Sequence, residues 1–259
     1  PSVLKEEDLE DLFALLGQYR ITSTAKEITV EAGRPDTLPV PKLKILKALG
    51  TNRICINPQT MQEATLQLIG RRHGRADVLD AVERVREVGF PVVNMDIIIG
   101  LPGEGRAEYQ NTLTQILDLK PENITVHSLA VKKGSRLAAL QGRQSMQEQA
   151  GEVQFGIDSA SRQLQEKGYL PYYLYRQKYM KANVENIGYS LPGHFCRYNI
   201  QIMEERQTVI GLGGGAGSKF VNPGDWSLVN LHSPKDPVSY GQHLPELLAR
   251  KVDKLRALN

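Results

Sequence analysis

The sequence has little of what builds disulfide frameworks, thiolate metal centres or membrane spans. It contains two cysteines and one tryptophan among 259 residues. Two thiols are too few for a disulfide framework or for a zinc site made of thiolates. No apolar run approaches the ~18 residues that a membrane helix needs, and the N-terminus lacks a basic region followed by an apolar stretch. We therefore expect a cytoplasmic protein with no membrane partner.

The chain also lacks a strong charge of either sign. Its formal net charge is +3, and the Lys and Arg residues are scattered rather than grouped into a band. This distribution is typical of a solvated surface, so we expect no nucleic-acid partner. The length predicts a full hydrophobic core divided into one or two domains.

Four apolar stretches of the chain each break into polar residues or glycine, as buried strands do where they end. These stretches cover residues 27–33, 53–59, 92–102 and 124–130. Helix-like segments separate them, a pattern typical of parallel strands with crossover helices. In such folds the carboxyl ends of the strands carry the chemistry. Glu31, Gln59, Asp96 and His127 are therefore the first candidates for a functional site.

The regular alternation of strand and helix stops near residue 135. Beyond it we predict a glutamine-rich helix over 144–167, extended segments over 200–205 and 208–212, and a final helix over 244–257. The predicted fold class is α/β. A partial TIM-like (β/α)6 barrel that lacks its first strand occupies 1–135, and a C-terminal α+β extension with a terminal helix occupies 136–259 and packs across the open side of the barrel.

Two acidic residues give the sharpest signals. Asp96 interrupts an apolar strand with a charge that burial penalises unless it is compensated. A ligand-facing role is favoured, the alternative being a loop cap or an ion pair with an Arg. Glu31 ends a strand, where it suits a ribose hydroxyl or an ammonium group, although a plain solvated Glu fits the sequence equally well.

The other candidates are weaker. The Gln59 amide offers both a donor and an acceptor to a polar ligand. Arg71 lies at a break between two helices, where a guanidinium grips a carboxylate or phosphate, or is simply a solvated helix end. For His127, a core histidine bonded to the backbone is favoured over a catalytic one.

Two further motifs keep two interpretations each. The glycine-rich segment 211–217 lacks the strand-and-helix context of a dinucleotide site and the ending of a P-loop, so a close backbone approach is favoured over nucleotide binding. The tyrosine-rich segment 170–179 indicates core or interdomain packing, with an aromatic platform for a flat ligand or RNA base as the alternative.

Segments along nearly the whole chain share the pattern of one enzyme family. The segments specific to one branch of that family are Pro171-Tyr-Tyr-Leu-Tyr-Arg-Gln-Lys178 and Tyr198-Asn-Ile-Gln-Ile-Met-Glu-Glu205, whereas Asp96-Ile-Ile-Ile-Gly-Leu-Pro102 is shared more widely. Further matches cover 29–36, 53–60, 127–135, 186–189 and 211–220. Together they resemble the oxygen-independent coproporphyrinogen III oxidase (dehydrogenase) family of radical S-adenosylmethionine enzymes, in its HemZ-type branch.

The resemblance implies a cofactor site and a reaction. It implies that Glu31, Gln59, Arg71, Asp96 and Ala130 contact S-adenosylmethionine, with Arg71 on its carboxylate and the acids on its ribose or ammonium group. It places the glycine segment beside the cofactor. The implied substrate is coproporphyrinogen III, two propionates of which are oxidatively decarboxylated to vinyl groups to give protoporphyrinogen IX. The implied oxidoreductase also needs an electron donor and a [4Fe-4S] cluster that cleaves the cofactor to a 5′-deoxyadenosyl radical.

One departure from the family is large. The cluster motif Cys-x3-Cys-x2-Cys is absent, and Cys55 and Cys196 cannot replace its three thiolates. We therefore expect an N-terminally truncated chain that neither binds the cluster nor turns over. The alternatives are a haem-binding or haem-delivery protein of the same superfamily, with His127, His194 or a tyrosine as axial ligand, and a nucleotide-binding module built on 211–217.

Overall fold

The computed structural model describes residues 3–131, 150–176 and 184–258. Contacts divide the chain into two compact units, Pro1–Phe195 and Cys196–Asn259. The predicted domain boundary near residue 135 lies outside the described residues, so the division into 1–135 and 136–259 stays a prediction. The start of the predicted helix over 144–167 and the end of the tyrosine-rich segment also lie outside them.

The first unit alternates helices and strands. Its helices are α1 (Glu6–Gln18), α2 (Ile21–Thr24), α3 (Val40–Ala48), α4 (Glu63–Leu68), α5 (Arg75–Val88), α6 (Arg106–Asp118) and α7 (Ala150–Glu166), with a 3-10 turn at Pro35–Thr37. Its strands are β1 (Thr29–Glu31), β2 (Arg53–Gln59), β3 (Val92–Ile99), β4 (Asn123–Ser128), β5 (Leu170–Tyr175) and β6 (Asn186–Ser190).

These six strands form one sheet in the order β1-β2-β3-β4-β6-β5. The pairs β1–β2, β2–β3 and β3–β4 are parallel, whereas β4–β6 and β5–β6 are antiparallel. The predicted α/β fold class with parallel strands and crossover helices is confirmed. The tyrosine-rich segment, for which the sequence predicts no strand, forms β5 at one end of the sheet.

One face of the sheet makes the core of the unit. Its strand residues include Val30, Ile54, Val93, Met95, Ile97, Ile124 and Val126, each at most 3% exposed. They pack in one cluster with apolar side chains of α3, α5, α6 and α7. Each such side chain, fully buried, contributes about 1.5–3 kcal/mol of transfer free energy. Because side chains alternate along a strand, the residues between these positions lie on the opposite face.

Helix α5 shows why the sequence pattern predicts these elements well. Its apolar positions Val78, Val82 and Val85 recur at helical spacing and are at most 5% exposed. The Asp77 carboxylate accepts a hydrogen bond from the Gly74 N–H at 2.7 Å at the start of the helix. Gly89 ends it with a φ of 84°, which glycine adopts without a steric penalty.

The second unit contains helix α8 (Arg197–Glu204), the antiparallel hairpin of β7 (Gly217–Val221) and β8 (Leu228–His232), and helix α9 (Pro237–Arg256). The predicted extended segment over 200–205 is wrong, because α8 covers most of it. The short alternation of apolar and polar residues in this segment fits either a strand or a helix, and the length of the segment does not decide between the two. Helix α9 begins earlier than predicted, at Pro237, after Asp236 accepts a hydrogen bond from Ser239 N–H at 2.8 Å.

Among the described residues, no helix combines the length and the apolarity that crossing a bilayer requires.

A buried carboxyl group holds the loop that follows β3. The Thr60 hydroxyl donates to Glu104 Oε1 at 2.6 Å, and the Tyr109 hydroxyl donates to the Glu104 carbonyl at 3.1 Å. Tyr109 also accepts from Gly100 N–H at 3.1 Å, so both ends of the loop are tied to one ring. Burial raises the pKa of the Glu104 carboxyl, and the hydrogen bond from Thr60 offsets part of that rise.

Replacing Glu104 by Gln should stabilise the protein at neutral pH. The change keeps an acceptor oxygen for Thr60 and removes the charge. The carboxyl of an unfolded Glu has a pKa of about 4.3. Because burial raises the pKa of Glu104 in the folded state, its carboxyl stabilises the fold fully only below that pH. This stabilisation is lost as the pH rises through the folded-state pKa. We expect Glu104→Gln to unfold at higher urea than wild type at neutral pH and at the same urea below about pH 4.

The matched control is Glu83→Gln, a change at an exposed position of α5. It should not alter the difference between the two pH values. Wild type more stable than Glu104→Gln at neutral pH would contradict the assignment.

Candidate functional site

The face of the sheet opposite to the core is polar, and we call it the polar face. It carries Glu31 on β1, Arg53 and Cys55 on β2, Asn94 and Asp96 on β3, Asn123, Thr125 and His127 on β4, and Tyr173 and Tyr175 on β5. The pairing register aligns them: Glu31 pairs with Cys55, Cys55 with Asn94, and Asp96 with Thr125. Groups from five strands therefore lie side by side.

Glu31 and Asp96 are two carboxylates that this face brings together. The Cys55 thiol donates to Glu31 Oε1 at 3.0 Å. Glu31 is exposed, yet the surrounding protein desolvates its carboxyl and raises its pKa, and the charge of Asp96 raises it further. The Cys55 hydrogen bond and the charge of Arg53 act in the opposite direction. Two carboxylates on one face of the sheet favour a cationic or hydroxyl-rich ligand that relieves their repulsion.

Asp96 lies inside its strand. The prediction that it interrupts an apolar strand is confirmed, whereas its place among the residues at strand ends is not, because β3 continues to Ile99. Because successive side chains of a strand point to opposite faces, the Asp96 side chain lies on the polar face and its two neighbours in the strand lie in the core. Its side chain is 19% exposed, with His127 Nε2 at 3.6 Å from Oδ2.

Arg53 closes one end of the polar face. It is 4% exposed and forms an ion pair with Glu27 at 3.4 Å. Its guanidinium donates to Asn123 Oδ1 and, at 2.8 Å, to the carbonyl of His194. Asn123 Nδ2 donates to the same carbonyl at 3.0 Å. Arg53 is thus engaged in holding the loop at His194, which the sequence did not indicate because a basic residue at the start of a strand is ordinary.

Gln59 and Arg71 belong to a second group, at the carboxyl end of β2. Gln59 is 8% exposed and has a φ of 71°, which is uncommon for a residue other than glycine. Burial lowers the pKa of the Arg71 guanidinium, and the nearby charge of Arg34 lowers it further. In the described part of the chain, no hydrogen bond or ion pair joins Gln59 or Arg71 to Glu31 or Asp96.

Ala130 follows β4 between two residues of a small apolar cluster. The cluster consists of Leu101, Leu129 and Val131, with Ile69 and Ile98 packed against it. Ile98 belongs to β3, and Ile69 immediately precedes the loop that carries Arg71. The cluster therefore draws the Arg71 loop, the end of β3 and the Ala130 segment together at one edge of the sheet. Contact of these residues with S-adenosylmethionine remains a prediction.

Several residues of the polar face were missed by the sequence predictions, above all Asn94, Thr125, Tyr173 and Tyr175. A signal for two of them is present: polar residues at positions 94 and 96, and at 123, 125 and 127, alternate with apolar ones. The tyrosines carry no such signal, because their strand comes from a distant part of the chain. Tyr173 and Tyr175 stack with their centroids 6.2 Å apart and their planes 4° apart.

The residues present do not fit a [4Fe-4S] cluster. Cys55 lies on β2, Cys196 belongs to the second unit, and both are buried thiols that form no disulfide. Among the described residues, no group of three or more His, Cys, Asp or Glu side chains is arranged to hold a metal ion. Such a cluster needs more thiolates than the two cysteines supply.

The glycine-rich segment folds against its own backbone. A Cβ on Gly211 would lie 2.4 Å from the carbonyl oxygen of Gly217. Lys251 Nζ donates to the Gly211 carbonyl at 2.6 Å, and a strand, β7, follows instead of the helix of a phosphate loop. The close backbone approach predicted for this segment is thereby confirmed.

The chain is similar in sequence to several known proteins. Residues 4–116 match the model of the radical SAM superfamily. The chain is 40% identical over 261 residues to the oxygen-independent coproporphyrinogen-III oxidase-like protein HemZ of Bacillus subtilis, a match that covers 100% of this chain and 52% of that protein. It is 38% identical over 133 residues to the heme chaperone HemW of Bacillus subtilis, which covers 51% of this chain and 35% of that protein.

A solved structure shares the fold. Coproporphyrinogen III oxidase (HemN) from Escherichia coli, a radical SAM enzyme, matches with a TM-score of 0.69 at 18% identity, over 95% of this chain and 55% of that one. This chain spans about half the length of the HemZ relative that it matches end to end.

Replacing Gly188 by Ala should damage the polar face. Gly188 lies opposite Tyr173 in the sheet, and a Cβ there would meet Tyr173 Cε1 at 1.7 Å. The ring lies over β6 and places its hydroxyl 3.2 Å from Thr125 Oγ1. We expect Gly188→Ala to lower the free energy of unfolding by about 1–3 kcal/mol, the usual cost of overpacking, as measured by urea denaturation.

Gly151→Ala is the control, because a Cβ at Gly151 meets nothing within 4 Å on helix α7. It should be neutral or stabilising by up to ~1 kcal/mol. Equal losses in both variants would refute the packing of Tyr173 over Gly188.

Proposed function

The chain belongs to the radical SAM superfamily, and we propose that its polar face and the adjoining carboxyl edge of the sheet bind S-adenosylmethionine. The observation that carries the proposal is the pair of carboxylates on one face of the sheet, Glu31 on β1 and Asp96 on β3, where the charge of Asp96 raises the pKa of Glu31. S-adenosylmethionine offers an ammonium group, a sulfonium and two ribose hydroxyls. Carboxylates accept hydrogen bonds from the hydroxyls and attract both cationic groups.

The electrostatics of the free site favour such a ligand. Desolvation and the charge of Asp96 both raise the pKa of Glu31, so the ionised pair is costly when it stands alone. A bound cation lowers that cost for both carboxylates. Affinity for a positively charged nucleoside then follows from the same interaction that destabilises the empty pair.

The remaining predicted residues suit the other parts of the cofactor. Arg71 is a partly desolvated guanidinium, and it would pair with the cofactor's carboxylate in a bidentate fashion. Gln59 would orient a polar edge through its amide. Ala130 has only backbone groups and a methyl to offer, which suits an adenine ring lying against the chain after β4.

For the whole protein we propose oxidative decarboxylation of the propionates of coproporphyrinogen III to vinyl groups, with an external electron donor. Support comes from the similarity to HemZ along this entire chain and from the fold shared with HemN. S-adenosylmethionine supplies the hydrogen-atom abstraction of this chemistry when it is bound and reduced. The two cysteines of this chain do not fit the cluster, so the chain's own part is to bind and orient the cofactor.

A second candidate is haem binding or delivery. The 38% identity to a heme chaperone over half of the chain favours it. His127 lies on the polar face with its Nδ1 at 3.1 Å from the Tyr175 hydroxyl, which leaves Nε2 beside Asp96 and not open to an iron. We therefore prefer the cofactor-binding proposal for this face.

The first test is cofactor binding by calorimetry. We expect S-adenosylmethionine to bind wild type, and Glu31→Gln and Asp96→Asn each to weaken binding about tenfold to a hundredfold, the loss expected for one charge-assisted hydrogen bond. Glu83→Gln, an exposed acid on α5, should leave the affinity unchanged. Binding of ATP without binding of S-adenosylmethionine would reject the proposal in favour of a nucleotide module.

The second test separates the two candidate functions. Wild type is titrated with haem and the Soret band is followed. We expect no shift that depends on His127 or His194. A shifted band that disappears in His194→Ala would favour the haem-carrying function.

A further inference from the structure

Strand β5 reaches the candidate cofactor site through two chains of side-chain contacts, which together we call the relay. Neither the family match nor the names of the relatives assign a role to it. Both chains start at tyrosine hydroxyls of β5, Tyr173 and Tyr175, cross the side chains of β4, and end on Asp96 of β3. Each chain ends on a different oxygen of the same carboxylate.

The first chain runs through His127. The Tyr175 hydroxyl lies 3.1 Å from His127 Nδ1. The other ring nitrogen, Nε2, lies 3.6 Å from Asp96 Oδ2. The His127 and Tyr175 rings meet edge to face at 74°, so the hydroxyl approaches the ring nitrogen and not its face.

The second chain runs through Thr125 and Asn94. The Tyr173 hydroxyl lies 3.2 Å from Thr125 Oγ1, which donates to Asn94 Oδ1 at 3.5 Å. Asn94 Nδ2 then donates to Asp96 Oδ1 at 2.9 Å. Gly188 is what lets the Tyr173 ring lie over β6 and reach β4.

The charge of Asp96 determines which neighbouring groups face it with an N–H. An ionised carboxylate only accepts, so Asn94 donates its amide N–H to Oδ1, while His127 directs Nε2–H toward Oδ2 at 3.6 Å, an ion-pair contact longer than a hydrogen bond. In a neutral imidazole with its N–H on Nε2, the acceptor for the Tyr175 hydroxyl is Nδ1. Asn94 Oδ1 accepts from Thr125, whose oxygen in turn accepts from the Tyr173 hydroxyl.

We propose that Tyr173 and Tyr175 are positioning residues, which through Thr125–Asn94 and through His127 hold Asp96 in the orientation that receives the nucleoside of S-adenosylmethionine. The proposal rests on the proposed function for the identity of the ligand. Each carboxylate oxygen accepts more than one hydrogen bond, so Asp96 keeps acceptor sites for ribose hydroxyls while both oxygens are held.

The surroundings of the tyrosines agree with a donor role. Burial raises the pKa of the Tyr173 hydroxyl, and the hydrogen bond with Thr125 offsets only part of that rise. Tyr173 therefore stays protonated and able to donate. The side chains of Asp96 and His127 are 19% and 20% exposed, which keeps competing water limited while leaving room for a ligand.

The direct test is the tautomer of His127, read by nitrogen-15 NMR of the full chain labelled at its five histidines. His127→Gln identifies the signal by its loss. We expect the Nε2–H tautomer in wild type and a mixture with the Nδ1–H tautomer in Tyr175→Phe, because nothing then donates to Nδ1. An Nδ1–H tautomer in wild type, or no change in Tyr175→Phe, would overturn the proposal. A purely structural loss of the hydroxyl would not move this signature.

The second readout is the affinity for S-adenosylmethionine. Tyr173→Phe and Tyr175→Phe should each weaken it about threefold to tenfold, the range for one hydrogen bond acting through a neighbour. His127→Gln keeps an N–H for Asp96 and should bind more tightly than His127→Leu.

Tyr169→Phe is the matched control, since the Tyr169 hydroxyl donates to the Pro121 carbonyl away from Asp96. It should bind S-adenosylmethionine within about twofold of wild type, and an equal loss of affinity in Tyr169→Phe would reject the relay.

If wild type does not bind S-adenosylmethionine, the proposed function fails, while the tautomer of His127 still tests the relay. If Asp96→Asn loses affinity but both tyrosine variants keep it, the relay alone fails.

Discussion

The repulsion between two carboxylates on one face of a sheet is the interaction on which the site depends. Glu31 on β1 and Asp96 on β3 lie on the same face with β2 between their strands, and desolvation together with the charge of Asp96 raises the pKa of Glu31. Both carboxylates accept hydrogen bonds from uncharged donors: Glu31 from the Cys55 thiol, and Asp96 from the Asn94 amide. Neutral donors hold the acids in place without cancelling their charge, so the attraction for a cationic ligand remains.

The basic residue that the polar face does contain is used elsewhere. Arg53 is engaged by Glu27, by Asn123 and by the carbonyl of His194, at the amino ends of the strands. Its charge lowers the pKa of Glu31, but by less than desolvation by burial raises it. One face of the sheet thus has an end at which Arg53 is paired and holds a loop, and an acidic middle that carries Glu31 and Asp96. The opposite face is mainly apolar and packs into the hydrophobic core of the unit.

Much of the first unit was predictable because its signals are local. The helical period of α5, its Gly89 end and the apolar run of β3 each specify an element within a few residues of sequence. Predictions failed where a short pattern fits two structures, as in α8, or where a start signal precedes the apolar period, as in α9. The charge of Asp96 within an apolar strand was visible in the sequence, but which face of the sheet it occupies was not, because a single acid among apolar residues does not reveal its side.

The sequence by itself determined the class of fold, the alternation of strands and helices, and the identity of the acids, because periodicity and an unexpected charge are properties of neighbouring residues. The tertiary structure alone decided which side chains surround Asp96. Tyr173 and Tyr175 are more than 70 residues from it in the chain and reach it only because β5 and β6 turn antiparallel and join the sheet beside β4. Contacts between strands so distant in sequence depend on sheet order and register, which no local pattern encodes.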